Sequence, residues 1–291
     1  MATALFKLNR VAMSKHLAWM TTLICVNAVC VGLPAADKSW SRINGRLVAE
    51  PELLKAVSKD FELSEGNSKN PTWAIDKNDS GLGGVVVALV RPSSIHPDLA
   101  VSKEDARKKY VDMFSKTNGH EIESSGPLEI NGRKIVFPTQ SVEIIEHAFF
   151  PDVICLRLGQ PLVIANRDKE LCYLRHMQDK DIALRLGGNE YYSYWFDSTH
   201  RATVVSPTHG HMMLSVYVFN HPYFCVTDSK GSFSIDQVPI GASTIIAMRH
   251  NKVIDLTTGR ISTKRDGNRV MVASDKTLDL GTIVVGETNQ K

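Results

Sequence analysis

The sequence predicts an all-β protein, a Greek-key β-sandwich with a short helical insertion and a C-terminal β-meander module. Two patterns carry this expectation. Short apolar runs rich in Val, Ile and aromatic residues recur along the chain, each bounded by Gly, Pro, Asn or Asp, and such runs read as strands between turns. Asn131-Gly132, with Leu128 to Ile130 before it and Lys134 to Phe137 after it, is the short-range signal of a tight hairpin. Many short strands joined by turns favour a sandwich.

In chain order, Gly45 to Val48 begins one strand, and Gly83-Gly84 leads into the apolar run Val85 to Val90, ended by Arg91-Pro92. One helix follows, near 102–118. Ser102 is its N-cap with Asp105 three positions on, Ala106, Tyr110 and Met113 or Phe114 share a face, and Asn118-Gly119 is a stop. Strands resume at Val142 to Ile145, Val153 to Leu158 and Leu162 to Asn166, then at Tyr191 to Phe196, Ala202 to Val205 and Leu214 to Phe219. From about His221 the rhythm is strand, turn, strand, Pro-Gly turn, strand. It runs through Phe224 to Thr227, Ser232 to Ile235 and Ser243 to Met248, with further strands at Arg269 to Ala273 and Thr282 to Val285.

The first 36 residues read as a signal peptide. Lys7, Arg10 and Lys15 precede an uncharged apolar run from Leu17 to Leu33, and small residues follow at Ala35 and Ala36. Those are the parts of a secretory leader, and the run is short for a membrane span; a retained anchor is the alternative. The expected location is the periplasm or cell exterior, with no membrane span once the leader is removed. The chain has 34 Lys and Arg against 31 Asp and Glu, and the leader holds three of the basic residues and no acidic one. The remainder is formally neutral, so nothing in it calls for nucleic acid or an anionic membrane as partner. Three cysteines follow the leader, Cys155, Cys172 and Cys225. An odd number leaves at least one thiol unpaired or paired to another chain.

Two blocks carry a family resemblance. Phe150-Pro151 and the run from Gly159 through Asn166-Arg167-Asp168 form the first, and Tyr217 through His221-Pro222-Tyr223-Phe224 to Asp228 forms the second. Together they resemble the plastocyanin-like (cupredoxin) proteins of bacterial periplasms, some of them methylamine-utilisation proteins. Gly231-Ser232-Phe233 and Pro239-Ile240-Gly241 are similar to the carboxypeptidase-regulatory-like extension these proteins carry. The resemblance implies a sandwich of cupredoxin type over 41–222 and a regulatory-like β extension over 223–291.

It also implies a copper site, made of two histidines, a cysteine thiolate and a weak axial methionine. Carried over by position, the methionine falls on Met212 and the second histidine on His209, but Ser206 stands for the cysteine and Cys172 for the first histidine. A hydroxyl does not ionise near neutral pH, so a normal blue-copper electron carrier is not expected. Two readings stay open. The site is degenerate and the sandwich is a metal-free scaffold that binds a protein or carbohydrate. Or the site is rebuilt for copper, with Cys172 supplying sulfur beside His209 and Met212, and His211 or His176 supplying a further nitrogen.

Other chemistry is thinly represented. His147 beside Glu146 could act as a general base, but neighbours on a strand point to opposite faces. Tyr191, Tyr192, Tyr194 and Trp195 could stack on a sugar, against the plainer reading that such aromatics fill the core on one face. No phosphate loop, nucleophile elbow or zinc-protease motif is present, and binding rather than catalysis is expected.

Overall fold

The structure, a computed structural model, describes residues 40–55, 73–106, 128–130, 133–135, 140–176, 182–196, 198–263, 266–274 and 276–287. The leader lies outside them, as does the expected helix beyond 106. Its start is described: 103–106 are helical, and the Ser102 hydroxyl accepts the Asp105 amide at 3.0 Å, as an N-cap does. Helical residues 51–55 were not expected. No helix among the described residues is long and apolar enough to cross a membrane.

The described chain is strand-rich, and nine strands build the central sandwich: β1 (Gln140–Ile145), β2 (Ala148–Phe150), β3 (Val153–Arg157), β4 (Pro161–Asn166), β5 (Cys172–His176), β6 (Ile182–Leu186), β7 (Tyr191–Trp195), β8 (Arg201–Val205) and β9 (Met213–Phe219). One sheet runs β7-β4-β1-β2 and the other β6-β5-β8-β9-β3. The pairs β4–β1 and β9–β3 are parallel; the other pairings are antiparallel. Alternate residues face inward, as a pleated strand requires. Val142, Ile144, Leu162 and Ile164 from one sheet meet Leu156, Leu174, Val204 and Leu214 from the other. Sequence reading missed β5 and β6.

A second, nine-stranded sheet flanks the sandwich. Its order is Phe224–Val226, Val86–Val90, Gly241–Arg249, Lys252–Ile254, Arg260–Ser262, Leu278–Glu287, Trp40–Ala49 and Ser232–Pro239, with Asn268–Val272 paired beside Gly241–Arg249. The stretch from Gly241 to Ser262 is a true meander of consecutive antiparallel neighbours. Ser232–Pro239 is not part of it, because it pairs with Trp40–Ala49 at the far end.

Strand pairing runs across position 222, where the sequence suggests a boundary. Trp40–Ala49 lies antiparallel to Ser232–Pro239 and parallel to Leu278–Glu287, and Val86–Val90 lies between Phe224–Val226 and Gly241–Arg249. Ile43, Leu47, Val87 and Leu89 share one buried cluster with Phe233, Ile245 and Val285. The early strands of 41–222 are therefore built into the sheet of 223–291. Burial explains this: Val86–Val90 is a continuous apolar run that only a sheet covered on both faces hides, and Trp40–Ala49 buries Ile43, Leu47 and Ala49 in the same cluster.

Candidate functional site

The site begins where β4 ends. Asn166, fully buried, donates through its side-chain amide to the carbonyls of Glu170, Leu186 and Gly187 at 2.8, 3.1 and 3.1 Å. That curls the loop leading into β5 and sets Asp168 at its tip. The Asp168 carboxylate accepts the backbone amides of Glu146 at 2.7 Å and His147 at 2.9 Å.

Glu146 and His147 are not on a strand. They form the two-residue loop between β1 and β2, where Ile145 pairs with Ala148, and both have positive φ, 48° and 58°. Two left-handed residues in succession are the geometry of a type I′ turn, usually given to Asn-Gly. Here the Asp168 carboxylate compensates by fixing both amides. Strand alternation, on which sequence reasoning set His147 aside, therefore never applied to it.

The His147 ring sits 3.5 Å by Nδ1 from Asp168 and 3.0 Å by Nε2 from Glu170. On its face lies the ring of His209, with centroids 4.2 Å apart and planes 10° from parallel. His211 stands edge-on to His209 at 6.2 Å. Its Nε2 is 2.9 Å from the His147 carbonyl; a carbonyl only accepts, so that nitrogen carries the hydrogen. Partial burial lowers the His209 pKa, and the neighbouring His147 and His211 lower it further against the pull of Glu170 and Asp168.

The loop from Ser206 to Met212 is closed by its own backbone, Met212 N to His209 O at 2.8 Å and Ser206 N to Met212 O at 3.2 Å. Inside it the buried Ser206 hydroxyl accepts the His209 amide at 3.2 Å and shares a hydrogen bond with Thr208 at 3.0 Å. Thr208 in turn reaches His209 Nδ1 at 3.1 Å. Cys172 is a free thiol, 3% exposed. Burial pushes its pKa up to about 11, although a hydrogen bond with Ser206 pulls the other way.

The structure thus brings Cys172 beside Ser206 and places His209 and Met212 in one loop. Met212 is fully buried in the sandwich core together with Cys172. His211 is committed to the His147 carbonyl. His176 ends β5, four residues from Cys172, and roughly 13 Å along a strand separates those positions; its side chain lies outside the described residues. Among the described residues, no group of three or more His, Cys, Asp or Glu is placed to hold a metal ion. A blue-copper centre needs a thiolate with two imidazoles around one point, and a hydroxyl beside a protonated, buried thiol does not supply it.

Of the aromatic run, Tyr192 and Tyr194 pack against the sandwich core. Tyr191 faces outward, its hydroxyl accepting Arg167 Nη1 at 2.6 Å and its ring 5.2 Å from the guanidinium. The side chain of Trp195 lies outside the described residues.

No family model matches the chain, and no curated protein matches it. Among solved structures, it is similar to a copper-containing nitrite reductase from Thermus scotoductus SA-01, at 18% identity and a TM-score of 0.27. That match covers 32% of this chain and 25% of the reductase chain. It is similar also to amicyanin from Paracoccus versutus, at 13% identity and a TM-score of 0.27, over 28% of this chain and 81% of amicyanin. A Cu(I) form of an amicyanin point mutant gives 15% identity and a TM-score of 0.26, over 28% and 82%.

Proposed function

We propose that this chain is an exported cupredoxin-like binding protein whose copper site is degenerate, with a hydrogen-bonded network standing in the ligand positions. The observation that carries the reading is the Ser206 hydroxyl. It occupies the position assigned to the thiolate and is engaged by Thr208, the His209 amide and Cys172. Each of those bonds would be given up to admit a metal ion there, and a buried group that loses its partner costs about 1–3 kcal/mol. The leader-like first 36 residues support export, and the sequence motifs support binding over catalysis.

The test is a titration of the protein lacking the leader with Cu(I) and Cu(II) separately, read by metal content and visible absorption. Uptake equal to that of a His209→Ala variant, with no intense sulfur-to-copper band, is expected. Tight one-to-one uptake that disappears in His209→Ala or Cys172→Ser would overturn the reading in favour of a rebuilt copper site.

A further inference from the structure

Where the sandwich meets the flanking sheet there is a cavity of about 340 Å³, within the size range of small-molecule sites, which favour such junctions. One wall comes from β9 and the residues around it, the other from Val86–Val90, Gly241–Arg249 and the turn after it. The apolar part of the lining includes Phe219, stacked on Phe224 at 4.9 Å, and Met248. The polar part is one-sided. Arg91, Arg201 and Lys252 line the cavity and no Asp or Glu does.

The two histidines deepest in the wall add no charge near neutral pH. Burial, with Arg157 nearby, lowers His221 to about 4, and burial, with Arg249 nearby, lowers His250 to about 4. The carboxylate facing His250 is Asp152, itself paired with Arg249. Arg201 is held in place, since its Nη1 and the Tyr217 hydroxyl both donate to the His250 carbonyl. His200 lines the same cavity, with its Nδ1 3.1 Å from Ser198 Oγ.

We propose that this cavity binds a small organic carboxylate. The cationic lining would neutralise the carboxylate, and Phe219 and Met248 would cover an apolar body. A low-dielectric wall with cations and no carboxylate raises the local concentration of anions. A planar guanidinium matches a carboxylate with two parallel hydrogen bonds. The cavity is separate from the His209 loop, so the inference stands whatever copper does.

The experiment is calorimetric titration of the protein lacking the leader with benzoate, benzamide and inorganic phosphate, repeated on Lys252→Gln and Arg91→Gln. Both side chains reach solvent, so these variants should melt as the parent does, which a thermal scan checks. Benzoate is expected to bind saturably at one site, benzamide and phosphate at least tenfold more weakly, and each variant about fivefold more weakly for benzoate alone. No saturable benzoate binding would overturn the proposal. So would equal affinity for benzamide, equal affinity for phosphate, or unchanged affinity in both variants.

Discussion

Arg249 is fully buried, and its Nη2 lies 2.6 Å from Oδ2 of Asp152, across the junction between the flanking sheet and the central sandwich. The same guanidinium donates to the carbonyl of Gly84 at 2.9 Å, so one side chain ties together three segments distant in sequence. Removing one partner of a buried pair leaves the other charge uncompensated. Asp152→Asn should therefore cost about 3–5 kcal/mol, read as a shift in the denaturant midpoint. Replacing both residues with apolar ones, Asp152→Leu with Arg249→Met, should recover most of that loss. A loss below 1 kcal/mol in the single variant would mean that the pair is not the clamp.

Gly231 makes a comparable demand on backbone alone. It has φ of +77°, its carbonyl accepts the Leu47 amide at 2.9 Å, and a Cβ there would sit 1.9 Å from the Leu47 carbonyl oxygen. Gly231→Ala should cost at least about 1–3 kcal/mol from the conformation, with displacement of Trp40–Ala49 added. Hydrogen exchange should show the amides of that strand losing protection first. Uniform protection in the variant would count against the register of this strand.

Acid should weaken the fold through its buried histidines. The folded-state pKa of His221 is about 4, lowered mainly by burial and secondarily by Arg157, against an ordinary value of 6.5. A depressed histidine binds its proton more readily in the unfolded chain. Its contribution is thus whole above pH 6.5 and is lost as pH falls from 6.5 towards 4, by about 1.4 kcal/mol per pH unit at most. Unfolding free energies measured at pH 7.5, 6 and 4.5 should fall in that order. His221→Asn should lower the whole curve and flatten it between 6.5 and 4.5.

The thiol at position 172 should be inert. With a pKa of about 11, about one molecule in a thousand carries a thiolate at pH 8, and burial blocks access. Alkylation of the native protein should leave Cys172 unmodified while the denatured protein reacts fully, as mass spectrometry of peptides would show. Rapid native modification would contradict its placement.

Restoring the family's ligand types offers a test by gain. Cys172→His with Ser206→Cys would set an imidazole and a thiol beside His209 and Met212. If the loop supports a trigonal thiolate site, the pair of substitutions should produce an intense visible band with Cu(II) that neither substitution produces alone.

Much of the architecture was readable in advance because short apolar runs bounded by turn residues are local patterns. Val142 to Ile145, Leu162 to Asn166 and Leu214 to Phe219 lie within a residue or two of β1, β4 and β9. What was not readable is pairing at long range. Nothing local in Trp40–Ala49 says that Ser232–Pro239 and Leu278–Glu287 are its neighbours. The site divides in the same way. Cys172, Ser206, His209 and Met212 were found by carrying over the ligand positions of the family that two neighbouring blocks resemble. His147 was set aside as a strand residue, because the carboxylate that turns its backbone, Asp168, lies 21 residues further on.

The arrangement of the flanking sheet also bears on how the protein is made. All the strands of the sandwich fall between Gln140 and Phe219, whereas Trp40–Ala49 takes its neighbours from Ser232–Pro239 and Leu278–Glu287. A chain emerging from its N-terminal end can complete the sandwich while the earliest of the described strands still has both edges unpaired. Such an edge is a template for pairing with other chains, and domains fold as their residues become available. Trp40–Ala49 is therefore the described segment for which a holding chaperone would matter most during synthesis.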